Sequence, residues 1–384
     1  MPNDLSAVTP KLLAQGLLAL RETCVMPRLV NSDYGDTAAS RGAVIDVPVP
    51  SAITSTPVNP ANTAPDPTGL TPSSVPIAMD QWREAPFTLT DKDLMNVFDG
   101  VIPMQASEAI KALANYVDAY LLGLYTGIPY LVGTPGTAPF GASVAEATAA
   151  RKVLNNNLAP LQDRRMVIDS DAEANALGLR AFQDASFSGD ASAINEGQIN
   201  RKLGFDWFLD QNVPTHVAGT AGGTEASPTT IASATVEPAG ETSLAVTVGA
   251  DNDLNLKQGD IITIAGDANS YAVAQDVSIP AGDTGMVQIA GGLKQATAGD
   301  EAITVKGDHV VNLAFHRDAI AFANRPLADN TEGLGNLVQT ATDAVSGLSL
   351  RLEISREYKR TRYSFDILFG AALVRPELAC RVAG

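Results

Sequence analysis

Three histidines, His216, His309 and His316, are all the imidazoles this chain offers for metal binding or proton transfer. Their spacing fits no HExxH or His-x-His pattern, and the two cysteines, Cys24 and Cys380, lie near opposite ends with no Cys-x-x-Cys between them. A zinc site needs three or four such ligands to converge, so the sequence predicts no metal centre. Asp251-Asn252-Asp253 in GADNDLNLKQGD faintly resembles a calcium loop, but the closing Glu is missing and the Gly is misplaced. Asp169 and Asp171 could on paper share general acid and base work, yet in so acidic a chain such pairs usually form solvated faces. There is no G-x-S-x-G elbow, no G-x-x-x-x-G-K-[ST] phosphate loop and no G-x-G-x-x-G. The expectation is a chain with no catalytic residues, no cofactor and no metal.

Basic residues concentrate in two places, Arg164-Arg165 and the run REYKRTRY, which holds Arg356, Lys359, Arg360 and Arg362. The run reads either as a docking patch for an acidic partner, a second copy of the chain included, or as ordinary exposed strand positions. The overall balance is the reverse: Lys+Arg 26 against Asp+Glu 43 gives a net charge of −17 over 384 residues. Such a chain has no general attraction for nucleic acid or for anionic membranes. No apolar run approaches the ~20 residues that cross a bilayer. The first residues, MPNDLSAVTPKLLAQ, carry Asp4 and no basic leader, so no secretory signal is expected. Two cysteines build no disulfide framework, which makes a reducing compartment the default.

The elements that would carry these residues can be read from periodicity. Residues 9–23 form an amphipathic helix with Thr9 as N-cap, Pro10 in the first turn and Leu13, Leu17 and Leu20 on one face. It either packs on its own domain or lies as an arm on a neighbouring subunit, with Leu13 and Leu17 as candidate contacts. Val44, Ile45, Val47 and Val49 make a strand that runs into the Pro/Thr/Ser-rich tract SAITSTPVNPANTAPDPTGLTPSS; Val75, Ile77 and Met79 alternate on the way back. Two limbs around a polar tip predict a long β-hairpin, the alternative being a disordered insertion. Thr90-Asp91-Lys92-Asp93 resembles a capping box. After Pro103, Ala106, Ile110, Leu113, Val117, Tyr120, Leu121 and Leu124 define a helix of five turns or more.

Residues 143–221 read as mixed α/β, with helices in ASVAEATAARKVLNNN and DAEANALGLRAF around the strand MVIDS. Residues 222–308 differ in texture: no Trp, Phe or Arg, and short β-branched runs separated by Gly or Asp turns. That spacing predicts a small antiparallel barrel or sandwich. Its twelve acids against three lysines give −9, more than half of the chain's excess. HVVNLAFHRDAIAFANRPL then reads as a strand followed by a short helix, and Leu348, Leu350, Leu352 and Ile354 alternate with Ser349, Arg351 and Glu353 in a final strand. The whole is an α+β chain in which an α/β body is interrupted by an inserted β domain.

This order of parts resembles the major capsid (coat) protein of tailed double-stranded DNA bacteriophages, in the branch with an inserted β-barrel domain. GQINRKLGFDWFLDQNVPTH (197–216) is similar to that family's entry into the insertion, with Gln198-Ile199-x-Arg201, Gly204-Phe205-Asp206 and Val213-Pro214. NLAFHRDAIAFANRPL (312–327) resembles the exit, through Asp318-Ala319-Ile320 and Pro326, and Arg375-Pro376-Glu377 resembles the closing strand and turn. The resemblance implies an N-terminal arm (1–41), an extended E-loop hairpin (42–90) and a peripheral domain with a spine helix (91–144). It further implies an axial domain in two parts (145–221 and 309–345), the inserted acidic β-barrel (222–308) and C-terminal peripheral and axial strands (346–384).

Such a protein would self-assemble as pentamers and hexamers into an icosahedral shell in the bacterial host cytoplasm, and would reside in the virion. A scaffolding protein, a portal and decoration proteins would be its partners, and it would enclose double-stranded DNA without sequence-specific binding. A related branch crosslinks its shell through Lys and Asn with a nearby Glu; no match to that arrangement is present, so a non-covalent shell is expected. The rival from the binding class is a bacterial surface or adhesion protein with an acidic β module. The rival from the enzyme class is a hydrolase using paired carboxylates, for which no motif locates a site.

Overall fold

The computed structural model of the chain describes residues 24–34, 44–50, 53, 55, 72–92, 101–184, 196–220, 228, 230–327, 337–342 and 348–384. The expected helix at residues 9–23 and nearly all of the polar hairpin tip lie outside these. The chain divides into two compact units: one holds the described parts of Asn31–Ile110 and Ile320–Val374, the other those of Leu20–Val30, Lys111–Ala319 and Arg375–Gly384.

The first unit is built from antiparallel strands. β1 (Val44–Val49) and β2 (Ser73–Ala78) pair from Val44↔Ala78 to Val49↔Ser73, the two limbs that alternation predicts. Their period of two puts Ile45, Val47 and Ile77 on one face, buried with Met79 against Ala321 and Ala323, while Val44 and Asp46 face outward. β3 (Gln81–Thr90) lies along β20 (Arg360–Leu373) from Gln81↔Phe369 to Thr90↔Arg360. Among the described residues β3 pairs with β20 alone, an edge position that tolerates Pro86, which has no N–H to donate. β17 (Ile320–Asn324), β18 (Leu337–Thr342) and β19 (Ser349–Glu357) complete the sheet in the order β17-β20-β19-β18.

Leu350 and Leu352 of β19 are fully buried beside Phe365 and Phe369 of β20, and Phe87 stacks on Tyr363 with ring centroids 5.0 Å apart. The short helix expected after His316 is a correction. Residues 317–319 form one 3-10 turn and Ile320–Asn324 is a strand with every residue buried. A short all-apolar segment covered on both faces has no periodicity to separate the two states.

In the second unit, β4 (Leu131–Val132), β5 (Arg164–Ile168), β6 (Asp206–Leu209), β16 (His309–His316) and β21 (Ala379–Ala383) form one mixed sheet in the order β4-β21-β16-β5-β6, with β7 (Thr215–His216) added to the start of β16. α1 (Val101–Gly123) contains the boundary between the units; its Leu113, Val117 and Leu121 are buried at the spacing that periodicity predicts. α2 (Ala145–Asn156) packs on β21 through Ala147, Ala150 and Leu154. The helix expected over DAEANALGLRAF is two, α3 (Ser170–Gly178) and α4 (Arg180–Gln183), because Leu179 leaves helical geometry between them.

Between β7 and β16 lie eight more strands: β8 (Ile231–Ser233), β9 (Ser243–Val248), β10 (Leu254–Leu256), β11 (Ile261–Ile264), β12 (Ser270–Val273), β13 (Val277–Ile279), β14 (Thr284–Ala290) and β15 (Ile303–Val305). Six of them make an antiparallel sheet in the order β15-β11-β12-β14-β9-β8, and its two end strands meet again at the bridge Ala232↔Ala302. Its core is aliphatic, with Leu244, Val246, Ile262, Val287 and Ile289 packed around Tyr271. Buried residues run consecutively in β11 and β12, where Ile261 and Ile262, and Tyr271, Ala272 and Val273, are all buried.

Gly370 sits where a side chain cannot. A Cβ there would stand 2.1 Å from the carbonyl oxygen of Ala78. Gly370→Ala is expected to lower the unfolding free energy by about 3 kcal/mol through forced displacement of β2. The urea midpoint measures it, and an unchanged midpoint contradicts the close-approach account.

Candidate functional site

The basic run occupies the β19–β20 hairpin, where Glu357 pairs with Arg360 and Tyr358-Lys359 form a two-residue turn. Lys359 takes the left-handed conformation (φ 54°), its ammonium lies 5.0 Å from the ring centroid of Tyr358, and Tyr358 is 85% exposed. The three arginines each meet an acid of the chain itself. Arg356 pairs with Asp91 at 2.6 Å and donates to Thr361 Oγ1 at 3.1 Å. Arg360 pairs with Glu357, and Arg362 with Glu84. Hydrogen bonding by Ser364, and then Arg362, holds the Glu84 carboxyl below the usual carboxylate range against the opposing effect of burial. The ladder continues through Ser364 and Asp366 to Arg351, which also faces Glu353 at 3.7 Å. The face with Arg351, Glu353, Arg362 and Glu84 therefore alternates in charge across β3, β20 and β19, while Arg356, in step with Leu350 and Leu352, lies on the other face at the hairpin end. The Arg356, Arg360 and Arg362 pairs are partly exposed and screened by water, so each adds little stability, whereas Asp366 is buried against Arg351. Leu13 and Leu17 lie outside the described residues.

The two histidines that sequence spacing kept apart meet in the fold. β7 and β16 are the strands entering and leaving residues 222–308, and their register places His216 opposite His309 with ring centroids 5.3 Å apart. His216 Nε2 meets Asp260 Oδ1 at 2.8 Å, and its Nδ1 meets the Tyr125 hydroxyl at 2.9 Å. Asp260, fully buried, also accepts the backbone N–H of Lys257 at 2.8 Å and that of Gly219 at 3.1 Å. Arg381, equally buried, donates to the carbonyls of Gly259 (2.7 Å) and Thr126 (3.2 Å) and lies over the Tyr125 ring at 5.0 Å. Gly219 must be glycine: a Cβ would fall 1.9 Å from the Asn255 carbonyl oxygen. Asp308 closes the same junction by accepting the Ala218 N–H at 2.8 Å.

A Tyr–His–Asp chain can in principle relay a proton, but His216, His309, Asp260 and Arg381 are all buried and every contact they make is internal. The geometry fastens the turn 257–260 to both strand crossings. Burial drives the Arg381 guanidinium down to about 10 and raises the Tyr125 hydroxyl. His309 Nδ1 faces the Gly307 carbonyl at 2.8 Å and its Nε2 has no hydrogen-bond partner; burial brings its pKa down to about 4. His316 lies at the other end of β16 and accepts the Asp318 N–H at 3.2 Å. The sequence signal for the cluster was positional: His216 and His309 flank the acidic segment on either side.

The remaining candidates resolve into structural roles. Asp169 N-caps α3, accepting the Asp171 N–H at 3.1 Å. Arg164 is buried and donates to the Ala159 and Pro160 carbonyls, both at 2.7 Å. A cleft lined by Tyr130, Ser270, Tyr271, Lys294 and Glu377 has its Tyr271 hydroxyl engaged by Asp267 at 2.5 Å. Among the described residues no group of three or more His, Cys, Asp or Glu could hold a metal ion, and no helix is long and apolar enough to cross a membrane.

No family model matches the chain, and no curated protein matches it. Solved structures do. A structure from Mycobacterium phage Che8 aligns with TM-score 0.52 at 15% identity, covering 94% of this chain and 90% of that one. The capsid structure of the cyanophage P-SCSP1u aligns with TM-score 0.53 at 13% identity, covering 94% and 88%. The likeness is one of fold, and it runs through nearly the whole chain: the architecture is that of a phage capsid chain.

The depressed His309 gives a signed prediction. The unfolded chain takes up its proton near 6.5 and the folded chain only near 4, so this contribution is complete above pH 6.5 and is lost as pH falls toward 4. Its full size is about 3 kcal/mol, from roughly 1.4 kcal/mol per pH unit. Urea unfolding of the native chain and His309→Gln should differ by that much less at pH 4 than at pH 7; parallel pH profiles would count against it.

Proposed function

We propose that this chain is the major capsid (coat) protein of a tailed double-stranded DNA bacteriophage, a structural protein that self-assembles as pentamers and hexamers into an icosahedral shell. The observation that carries this is the fold shared with the cyanophage capsid structure over 94% of the chain. Fold likeness alone does not transmit function, so the site must agree with it. It does: the Asp260 cluster is buried and bonded to its own chain, while the surface offers a compensated charge ladder.

On this reading residues 42–90 are the extended loop that reaches a neighbour, α1 is the spine helix, and the mixed sheet on β16 is the axial domain. The β8–β15 module is the inserted barrel. Heterologous contacts between identical subunits close into rings, which is the symmetry a shell requires. Arg356, Lys359, Arg360 and Arg362, with Leu13 and Leu17, are the proposed contact residues. Because the arginines already hold Asp91, Glu357 and Glu84, a neighbour would meet a balanced charge pattern there in place of a bare positive patch. The scaffolding protein, portal and decoration proteins are the further partners, with assembly in the host cytoplasm and residence in the virion around unspecifically enclosed DNA.

Electron microscopy of the purified, concentrated protein tests the reading. Closed, uniform shells are expected, and a chain that stays monomeric under every assembly condition overturns it. A narrower test deletes residues 52–74. A folded, soluble subunit that forms no shells is expected, whereas shells of normal size would remove the hairpin tip from the assembly mechanism.

A further inference from the structure

Asp118 lies on the apolar side of α1, fully buried, where periodicity calls for a hydrophobic residue. Its two oxygens accept adjacent backbone N–H groups, Oδ2 from Val25 and Oδ1 from Met26, each at 3.0 Å. These donors belong to the start of the 3-10 turn Met26–Arg28, whose Pro27 has no N–H, so a side chain more than ninety residues away caps the turn. Residues 24–30 cover the carboxyl: Cys24, Met26, Leu29 and Val30 are all buried, and the Cys24 thiol points at the Ala114 carbonyl at 3.4 Å.

The site is poor in compensation. Asp210 acts on Asp118 as a second buried carboxyl; one of its oxygens takes the Asn212 N–H at 2.8 Å and the other has no hydrogen-bond partner. The facing cation is Arg28, which is itself exposed. Two carboxylates in low dielectric without a buried cation cannot both ionise cheaply.

We propose that Asp118 makes residues 24–30 a proton-dependent latch: the segment closes over the neutral carboxyl, and ionising Asp118 drives the segment off α1. The latch is built into the subunit and does not depend on shell formation. Its working range follows from linkage. Burial, then the Asp210 charge, push Asp118 up to about 7, outweighing the two N–H bonds that favour its charge. Lifting the segment hydrates the carboxyl and returns it toward its ordinary 3.8. The closed form thus binds the extra proton between these values, so acid tightens the latch, and the hold weakens as pH rises from about 4 to 7 and then levels off. Burial keeps the Cys24 thiol protonated throughout this range. Asp210 is raised as well, mainly by burial, and shares the titration.

Amide hydrogen exchange of the full-length soluble subunit, corrected for the intrinsic pH dependence, reads the latch. From pH 5 to pH 7 the protection of residues 25–30 should fall by roughly a hundredfold, tenfold for each pH unit. In Asp118→Asn, which keeps an acceptor and cannot ionise, the corrected protection should be flat. Asp210→Asn should bring the levelling-off to lower pH. If Asp118→Asn does not fold, the carboxyl 13C titration of Asp118 in the native chain decides: a midpoint near 7 supports the latch and one near 4 overturns it. Equal pH profiles for the native chain and Asp118→Asn, or native protection that rises with pH, also overturn it.

Discussion

Asp260 is the point on which the second unit depends. Its carboxylate is removed from water and must find every partner inside the protein, and it does so from four segments at once: His216 on the entry strand, Gly219 beyond it, Lys257 on its own turn and, through His216, Tyr125 after α1. A buried charge satisfied this way is costly to disturb, because loss of any one partner leaves the others unpaired in low dielectric. Arg381 works from the last strand of the chain and grips the carbonyls beside Asp260 and Tyr125. A segment of more than eighty residues is thereby seated by one knot of polar groups at its root, while its interior needs only aliphatic packing.

The first unit solves the opposite problem. Apart from the buried Asp366, its charges reach water and are balanced pair by pair across β3, β20 and β19, while the other face of the same strands supplies the aromatic and leucine core. Period-two alternation makes both faces available from one stretch of sequence. The acid excess of the chain sits mainly in residues 222–308, where the β-strands expose their polar positions.

Ionisable groups inside this chain divide by what they face. Arg381 faces the carbonyls of Gly259 and Thr126 and the Tyr125 ring, and burial still brings its guanidinium down to about 10. Asp118, Asp210 and His309 face groups of their own sign or apolar walls, and burial dominates. The second set lies at residues 24–30 in one case and at the β7–β16 pairing in the other.

Local pattern by itself determined a good deal. The β1–β2 limbs, the apolar stripe of α1, the apolar part of the strand read as MVIDS, which runs over Arg164–Ile168, and the many short strands of 231–305 were legible, because each is specified by the spacing of apolar residues within one segment. The order of those parts also pointed to the capsid fold that the solved structures share. Tertiary structure alone decided which polar residues meet. His216 and His309 are ninety-three positions apart and become neighbours through strand register; Asp118 caps a turn it never approaches in sequence; Arg356, Arg360 and Arg362, a bare basic run on paper, each find an acid. Strand Ile320–Asn324 escaped for the same reason: burial on both faces erases the periodicity that would have named it. Apolar patterning is written locally because it answers to solvent, whereas a polar group answers to a particular partner, and only the folded chain says where that partner is.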